Sequence, residues 1–116
     1  MQTKSLNQQT LKSPVSLHGV GLHTGSHVTI TMKPANPGYG IRFQRIDLPE
    51  QPVVKADADL VVDTSRGTTI EHNGARVSTV EHVLSALVGL QIDNVLIELD
   101  GPEIPILDGK IGRAHV

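Results

Sequence analysis

The clearest pattern along the chain is a strict alternation of apolar and polar side chains in the segment HVTITMKP, residues 27–34. Val28, Ile30 and Met32 share one face of an extended chain, and polar residues occupy the positions between them. This period of two is typical of a half-buried strand, which we expect to end at Pro34. The continuous apolar centre of another segment, residues 94–99, indicates a buried strand. Further extended segments are predicted around residues 15–17 and 41–45.

A hairpin is predicted in the segment TTIEHNGARVST, residues 68–79. Its centre, Asn73-Gly74, is a dipeptide that accepts the two positive φ angles of a type I′ turn. Residues 68–71 should therefore pair with residues 75–77. Together with a helix further along the chain, these elements predict an α+β fold, with a mainly antiparallel sheet of about five strands packed with one or two helices.

The main helix is predicted over residues 79–88, where apolar residues recur at helical spacing. Ser78 and Glu81 have the spacing of a capping box, in which the two side chains bond the free backbone N–H groups of the first turn. His82 lies about 200° around the helix from Val80, so its side chain should point away from the core. A short turn of a second helix is a candidate in DADLVVDTS, residues 57–65. The predicted buried face consists of Val80, Val83, Leu84, Leu87 and Val88.

Glu81 and His82 allow two interpretations at this point. Glu81 can be a helix cap and His82 an ordinary exposed histidine. However, the neighbouring positions Ser85, Ala86 and Gly89 are small, whereas a face that only meets solvent more often carries Lys and Glu. A catalytic zinc takes three protein ligands and leaves one position open, so His82 could supply one ligand and Glu81 a general base. The pair is not an HExxH motif, and further ligands would have to come from elsewhere.

Two polar loops are further candidates for a site. HGVGLHTG, residues 18–25, contains three glycines that let the backbone approach another group closely, and His23 within it could donate a hydrogen bond to a substrate. This loop is not a dinucleotide-binding fingerprint, because a strand rather than a helix follows it. DTSRGTT, residues 63–69, is small and polar, and it could equally be an ordinary connection.

Composition narrows the classes of function. The chain has 116 residues, a single-domain length, with a net charge of -2 at pH 7 and no cysteine. This charge gives no reason to expect a nucleic-acid partner, and the sequence offers neither disulfides nor a thiolate metal site. The longest apolar stretches are far shorter than the roughly 18 residues that a spanning helix needs. We therefore expect a cytoplasmic protein that does not span a membrane.

Three segments closely resemble the UDP-3-O-acyl-N-acetylglucosamine deacetylase (LpxC) family: GVGLHTG at 19–25, DADLVVDTSRGTT at 57–69, and RVSTVEHVLSALVGLQIDNVLIELDGPEIPILDG at 76–109. The resemblance runs in order from about residue 9 to residue 109. It implies a zinc-dependent hydrolase of lipid A biosynthesis in Gram-negative bacteria. The implied reaction removes acetate from the 2-acetamide of UDP-3-O-acyl-N-acetylglucosamine.

The resemblance also implies roles for individual residues. Glu81 matches the general base that activates water in the family, and His82 matches a zinc ligand. The substrate-binding positions that it implies are Leu22, His23, Thr64 and Ser65. The family carries its remaining zinc ligands in a second, similarly built domain, and no motif of that domain is present in this sequence.

Several expectations about the extent of the protein follow from the resemblance. Residues 1–109 would be an N-terminal domain fragment, inactive alone and with an incomplete zinc site, and residues 110–116 would be a tail added by cloning. Some family members are fused to an acyl-carrier-protein dehydratase, and whether the parent protein is such a fusion is left open. The alternative function is that of a non-enzymatic α+β module that binds a ligand or partner, in which Glu81 is only a helix cap.

Overall fold

The computed structural model describes residues 8–65 and 67–106 of the chain. Strands dominate this part, and one α-helix lies between the last two of them. The predicted α+β fold is therefore confirmed. In chain order, the elements are β1 (Val15–Val20), β2 (His27–Pro34), β3 (Ile41–Arg45), β4 (Val53–Lys55), a 3-10 helix (Ala58–Leu60), β5 (Val61–Asp63), β6 (Thr69–His72), β7 (Ala75–Ser78), α1 (Glu81–Gly89) and β8 (Val95–Leu99).

Five strands form the larger sheet in the order β1-β2-β8-β3-β4. Neighbouring strands are antiparallel except for β3 and β8, which run parallel. The alternation in β2 is confirmed, because Val28, Ile30 and Met32 are at most 1% exposed. The central place of β8 explains its apolar sequence, since a strand paired on both sides within a covered sheet buries most of its length.

A second, three-stranded sheet contains β5, β6 and β7 in that order. It includes the predicted hairpin, in which Ile70 pairs with Val77 and the turn residues Asn73 and Gly74 have φ angles of 52° and 82°. The hairpin prediction is therefore confirmed, with each strand ending one residue later than expected. The sequence did not predict this sheet, because β5 is only three residues long and exposed. The predicted turn in DADLVVDTS is present as the 3-10 helix.

Helix α1 begins two residues later than predicted, and the predicted capping box is wrong. Ser78 still belongs to β7: its N–H donates to Pro102 O at 2.8 Å, and its carbonyl accepts from Ile104 N at 3.0 Å. The N-cap residue is Val80, which has no side-chain cap bond. These long-range backbone bonds keep Ser78 in the strand, and Thr79, with a φ of 61°, separates it from the helix, so the N-cap falls two residues later.

The buried face of α1 is narrower than predicted. Val80, Val83 and Leu87 are fully buried, Leu84 is partly buried, and Val88 is 69% exposed. Val88 lies about 80° around the helix from Val80, at the edge of an apolar stripe of ordinary width. The prediction that Val88 is buried is therefore wrong.

One hydrophobic cluster joins both sheets and the helix. It contains Ile30 and Phe43 from the larger sheet, Val77 from the smaller one and Leu87 from α1. Within residues 8–65 and 67–106, no helix is long and apolar enough to cross a membrane. The expected tail at residues 110–116 lies outside the described residues, and the domain boundary at residue 109 stays a prediction.

Candidate active site

Glu81 and His82 are the first two residues of helix α1, which follows the last strand of the smaller sheet. Val83 and Leu87 on the same helix are fully buried, which fixes the rotation of the helix about its axis. Glu81 is consequently half-buried, and His82 is exposed. The prediction that His82 points away from the core is confirmed.

The carboxylate of Glu81 contacts the loop between β5 and β6 rather than its own helix. Thr68 donates its backbone N–H to Glu81 Oε1 at 2.8 Å. A Cβ added at Gly67, which has a φ of 88°, would lie 2.8 Å from Glu81 Oε2. Because any side chain at position 67 would press on this carboxylate, the glycine and the Thr68 N–H together set its position.

Thr64 and Ser65 lie in the same loop, and both are exposed. Ser65 donates from its backbone N and its Oγ to Asp63 Oδ1, each at 2.9 Å. These bonds, the backbone one first, lower the pKa of Asp63. Among the described residues, no hydrogen bond joins Thr64 or Ser65 to Glu81 or His82. The structure therefore brings the end of this loop, and not the two predicted residues themselves, into contact with Glu81.

The predicted loop of Leu22 and His23 follows β1 and turns tightly. Gly25 N donates to Gly21 O at 3.0 Å, and Gly21 N donates to Ser26 O at 2.9 Å. The Leu22 side chain is 62% exposed, and His23 is also exposed. The loop thus presents an apolar and an imidazole side chain at the surface, while its backbone amides point inwards.

Those amides meet Glu103, a residue that the sequence analysis did not single out. Thr24 N donates to Glu103 Oε1 at 2.9 Å, His23 N lies 3.1 Å from Oε2, and the Thr79 hydroxyl donates to Oε2 at 2.7 Å. Burial raises the pKa of Glu103, but the hydrogen bonds from Thr24, Thr79 and His23 outweigh it and hold the pKa below its ordinary value. Glu103 is therefore an ionised carboxylate with 0% exposure.

One sequence signal could have found Glu103. It is the single charged residue in the otherwise apolar stretch Pro102–Ile106, where an acidic side chain needs hydrogen-bond donors to be buried. Through Thr79, it connects the loop of His23 to the residues that precede Glu81. The Glu103 side chain thus connects the predicted substrate loop of His23 with the start of the helix that carries Glu81.

The described residues do not by themselves fit a catalytic zinc. His82 offers an exposed imidazole, which is a suitable ligand, and Glu81 is its neighbour in sequence. A catalytic zinc needs three protein ligands. Residues 8–65 and 67–106 contain no group of three or more His, Cys, Asp or Glu side chains that could hold a metal ion. His82 can therefore supply one ligand, and the others would have to come from outside this part of the chain.

Comparison with known proteins identifies the family. The family model for UDP-3-O-acyl N-acetylglycosamine deacetylase, LpxC, matches residues 8–112. The chain belongs to the LpxC family. Glu81, His82, the His23 loop and Glu103 all lie within the matched segment.

Curated relatives agree with this LpxC assignment. The chain is 54% identical over 110 residues to the UDP-3-O-acyl-N-acetylglucosamine deacetylase of Myxococcus xanthus. It is 49% identical over 107 residues to the protein of the same name from Methylococcus capsulatus. It is also 55% identical over 105 residues to the bifunctional enzyme LpxC/FabZ of Bacteroides thetaiotaomicron.

The matches cover most of this chain but only part of each relative. The match to the Myxococcus protein covers 95% of this chain and 35% of that protein. The match to the Methylococcus protein covers 92% of this chain and 35% of that protein, and the match to the Bacteroides fusion covers 90% of this chain and 23% of the fusion. The chain thus spans about a third or less of the length of these LpxC relatives, and both single enzymes and fusions are among them.

Proposed function

We propose that a full-length LpxC protein containing this chain hydrolyses the 2-acetamide of UDP-3-O-acyl-N-acetylglucosamine, in a zinc-dependent step of lipid A biosynthesis. The family match and the names of the relatives support this substrate and reaction. The observation that carries the proposal is the placement of Glu81. Its carboxylate accepts a hydrogen bond from the Thr68 N–H, and the next residue in the sequence is His82, whose imidazole is exposed.

The hydrogen bond from Thr68 suggests how Glu81 acts. It engages Oε1 and orients the carboxylate, which leaves Oε2 to accept a proton from the attacking water as a general base. Oxygen adds to the acetamide carbonyl carbon, the carbon–nitrogen bond then breaks, and the sugar amine takes up a proton as acetate leaves. A bound zinc would supply Lewis acidity at the carbonyl.

The other predicted residues are assigned roles at the substrate. His82 would contribute one zinc ligand. Leu22 and His23, exposed on their loop, would form one wall of the substrate site. Thr64 and Ser65 would border it on the side of the loop that contacts Glu81. Since the described residues supply only one ligand, the chain alone is expected to be inactive and to hold no stoichiometric zinc.

The Glu81→Gln substitution tests this proposal in the full-length enzyme. Glutamine keeps an oxygen that can accept the Thr68 N–H, so the fold of the loop and helix should survive. It cannot take a proton from water, and we expect kcat to fall by roughly two or more orders of magnitude. Acetate release from the acylated UDP-sugar would be measured at saturating substrate, together with the zinc content by elemental analysis.

Glu71→Gln is the matched control, because Glu71 lies in the hairpin and forms an exposed ion pair with Arg76 at 2.7 Å. It should leave kcat unchanged. Normal turnover in Glu81→Gln would refute the base role and leave Glu81 with a structural role at the start of the helix. Acetate release by the 116-residue chain alone, or one tightly held zinc per chain, would contradict the incomplete site.

A further inference from the structure

Glu103 is a buried carboxylate for which the proposed reaction has no use. It is 0% exposed, and none of the ion pairs formed by the described residues includes it. Its oxygens instead accept from two backbone N–H groups and one hydroxyl. Burying an unpaired charge is expensive unless several hydrogen bonds compensate for it, so a neutral residue of similar size would be the simpler way to fill this space.

The segment around Glu103 lies between two parts of the candidate site. On one side, Ile106 N donates to Val20 O at 3.2 Å, next to the loop of His23. On the other side, Ser78 N donates to Pro102 O at 2.8 Å, immediately before Thr79. These backbone bonds place residues 102–106 between the His23 loop and Thr79. The Glu103 side chain then forms hydrogen bonds with both.

Both carboxylate oxygens of Glu103 accept hydrogen bonds. Oε1 accepts from Thr24 N at 2.9 Å, Oε2 accepts from the Thr79 hydroxyl at 2.7 Å, and His23 N lies within 3.2 Å of both oxygens. A carboxylate offers acceptors on both oxygens, whereas the amide of glutamine replaces one of them with a donor. Glutamine therefore keeps the shape of this side chain but not the pattern of its bonds, since the Thr79 hydroxyl would have to accept instead of donate.

Thr79, the hydroxyl partner of Glu103, has an unusual backbone conformation. Its φ is 61°, a conformation that β-branched residues rarely adopt because it is sterically unfavourable for them. Thr79 is 6% exposed, and its hydroxyl bonds Glu103. This unfavourable conformation lies two residues before Glu81, so a change at Thr79 can shift the start of the helix.

We infer that Glu103 is a positioning residue, which fixes the loop of His23 relative to the start of the helix that carries Glu81 and His82. This inference rests on the deacetylase function proposed above. Glu103 touches neither substrate nor reacting atoms. It acts through the backbone of His23 and Thr24 and through the hydroxyl of Thr79.

A double-mutant cycle in the full-length enzyme tests the inference. Glu103→Gln should lower kcat/KM by roughly ten- to a hundredfold, as a misplaced binding group does. If Glu103 acts through His23, the same substitution in a His23→Ala background should cost far less, because the side chain that it positions is already absent. A purely structural residue would instead give the same fold-loss in both backgrounds.

Thr79 provides variants that keep Glu103 itself. Thr79→Val removes only the hydroxyl bond and should lower kcat/KM in the same direction, whereas Thr79→Ser keeps the hydroxyl and should restore most of the activity. The amide proton shifts of His23 and Thr24, measured by NMR, should change in Glu103→Gln and not in the control Glu71→Gln.

The outcomes separate the two proposals. Without acetate release by the wild-type enzyme, the proposed function fails and the positioning role fails with it. With an active wild-type enzyme, an additive cycle or unchanged amide shifts in Glu103→Gln would overturn the positioning role alone. Equal activities of Thr79→Val and Thr79→Ser would also overturn it.

Discussion

Arg45 and Glu103 are buried charges in two regions of the part of the chain that the structure describes, and they are stabilised in different ways. At the end of β3, Arg45 is 6% exposed and pairs with Asp47 through two parallel hydrogen bonds of 2.8 and 2.7 Å. Near the helix start, Glu103 is 0% exposed and is bonded only by N–H and O–H dipoles. The charge of Arg45 is thus balanced by the opposite charge of Asp47, whereas the charge of Glu103 is stabilised by hydrogen bonds from uncharged groups.

The partners also differ in their distance along the chain. Asp47 is two residues from Arg45, so the ion pair is a local feature of the turn after β3, and it reaches the hairpin only through a bond of 2.6 Å from Arg45 to Arg76 O. The partners of Glu103 are 79, 80 and 24 residues away. A local pair stabilises one corner, whereas Glu103 determines how separate segments meet. This difference is why only Glu103 is assigned a role in positioning the site.

Gly21→Ala is expected to have the largest effect on the stability of the Glu103 region. A Cβ at position 21 would lie 2.4 Å from Glu103 Oε1 and 2.6 Å from Thr24 Oγ1. Since Glu103 is fully buried, its carboxylate cannot move away freely, and we expect a loss of about 2–3 kcal/mol in the free energy of unfolding. Urea denaturation would measure this loss.

Gly89→Ala is the matched control for that substitution. Gly89 is the last residue of α1, and a Cβ there meets nothing within 4 Å. Alanine should therefore be neutral or stabilise the protein by about 0.5–1 kcal/mol. Equal effects of the two substitutions would mean that the region around Glu103 is loosely packed, contrary to the comparison.

Asp47→Asn should have a smaller effect, at the other buried charge. It leaves the buried Arg45 guanidinium without a counter-charge, but Asp47 is 27% exposed, so water can partly replace it. We expect a loss of about 1–2 kcal/mol in the free energy of unfolding, below the 3–5 kcal/mol of a fully buried pair. The hydrogen bonds of the Arg45 side chain go to Asp47 and to Arg76 O and not to the His23 loop, so acetate release by the full-length enzyme should be unchanged.

Glu71→Gln serves as the exposed counterpart, since the Arg76 and Glu71 side chains are 59% and 30% exposed. Its cost should be at most about 0.5 kcal/mol, as for most surface ion pairs. A loss of activity in Asp47→Asn would show that both buried charges affect the site and would remove the distinction between them.

The parts of the fold that the sequence predicted are those with local signals. The alternation of Val28, Ile30 and Met32 gave β2, and Asn73-Gly74 gave the hairpin, because each pattern is complete within a few residues. The exposed position of His82 followed in the same way from the helical period. The family resemblance, borne by the motifs around Glu81, is confirmed by the family match.

Two of the features that the sequence analysis missed depend on distant residues. Ser78 has the sequence of a helix cap, but its backbone is bonded to Pro102 and Ile104, and no local rule contains that information. Glu103 was missed for the same reason, since its donors lie far away in the sequence. The metal and substrate roles of His82, Leu22, His23, Thr64 and Ser65 stay predictions until the experiments above are done.

The smallest expected effect is the dependence of stability on pH. Hydrogen bonds from Arg45 are the main cause that lowers the pKa of Asp47 in the fold. For Glu103, burial raises the pKa, but the hydrogen bonds outweigh burial, so the net change is a lowering. A carboxyl whose folded-state pKa lies below its unfolded value stabilises the fold fully above the unfolded value. That contribution is lost as the pH falls through the folded-state pKa.

The free energy of unfolding should therefore be constant near neutral pH and decrease below the ordinary pKa values of 3.8 for Asp47 and 4.5 for Glu103. Urea denaturation between pH 7 and pH 3 would measure it for the wild type, Asp47→Asn and Glu103→Gln. Each variant should show a shallower decrease, because it lacks one titrating group. A decrease as steep as that of the wild type in either variant would mean that the carboxyl it replaces contributes nothing to this pH dependence.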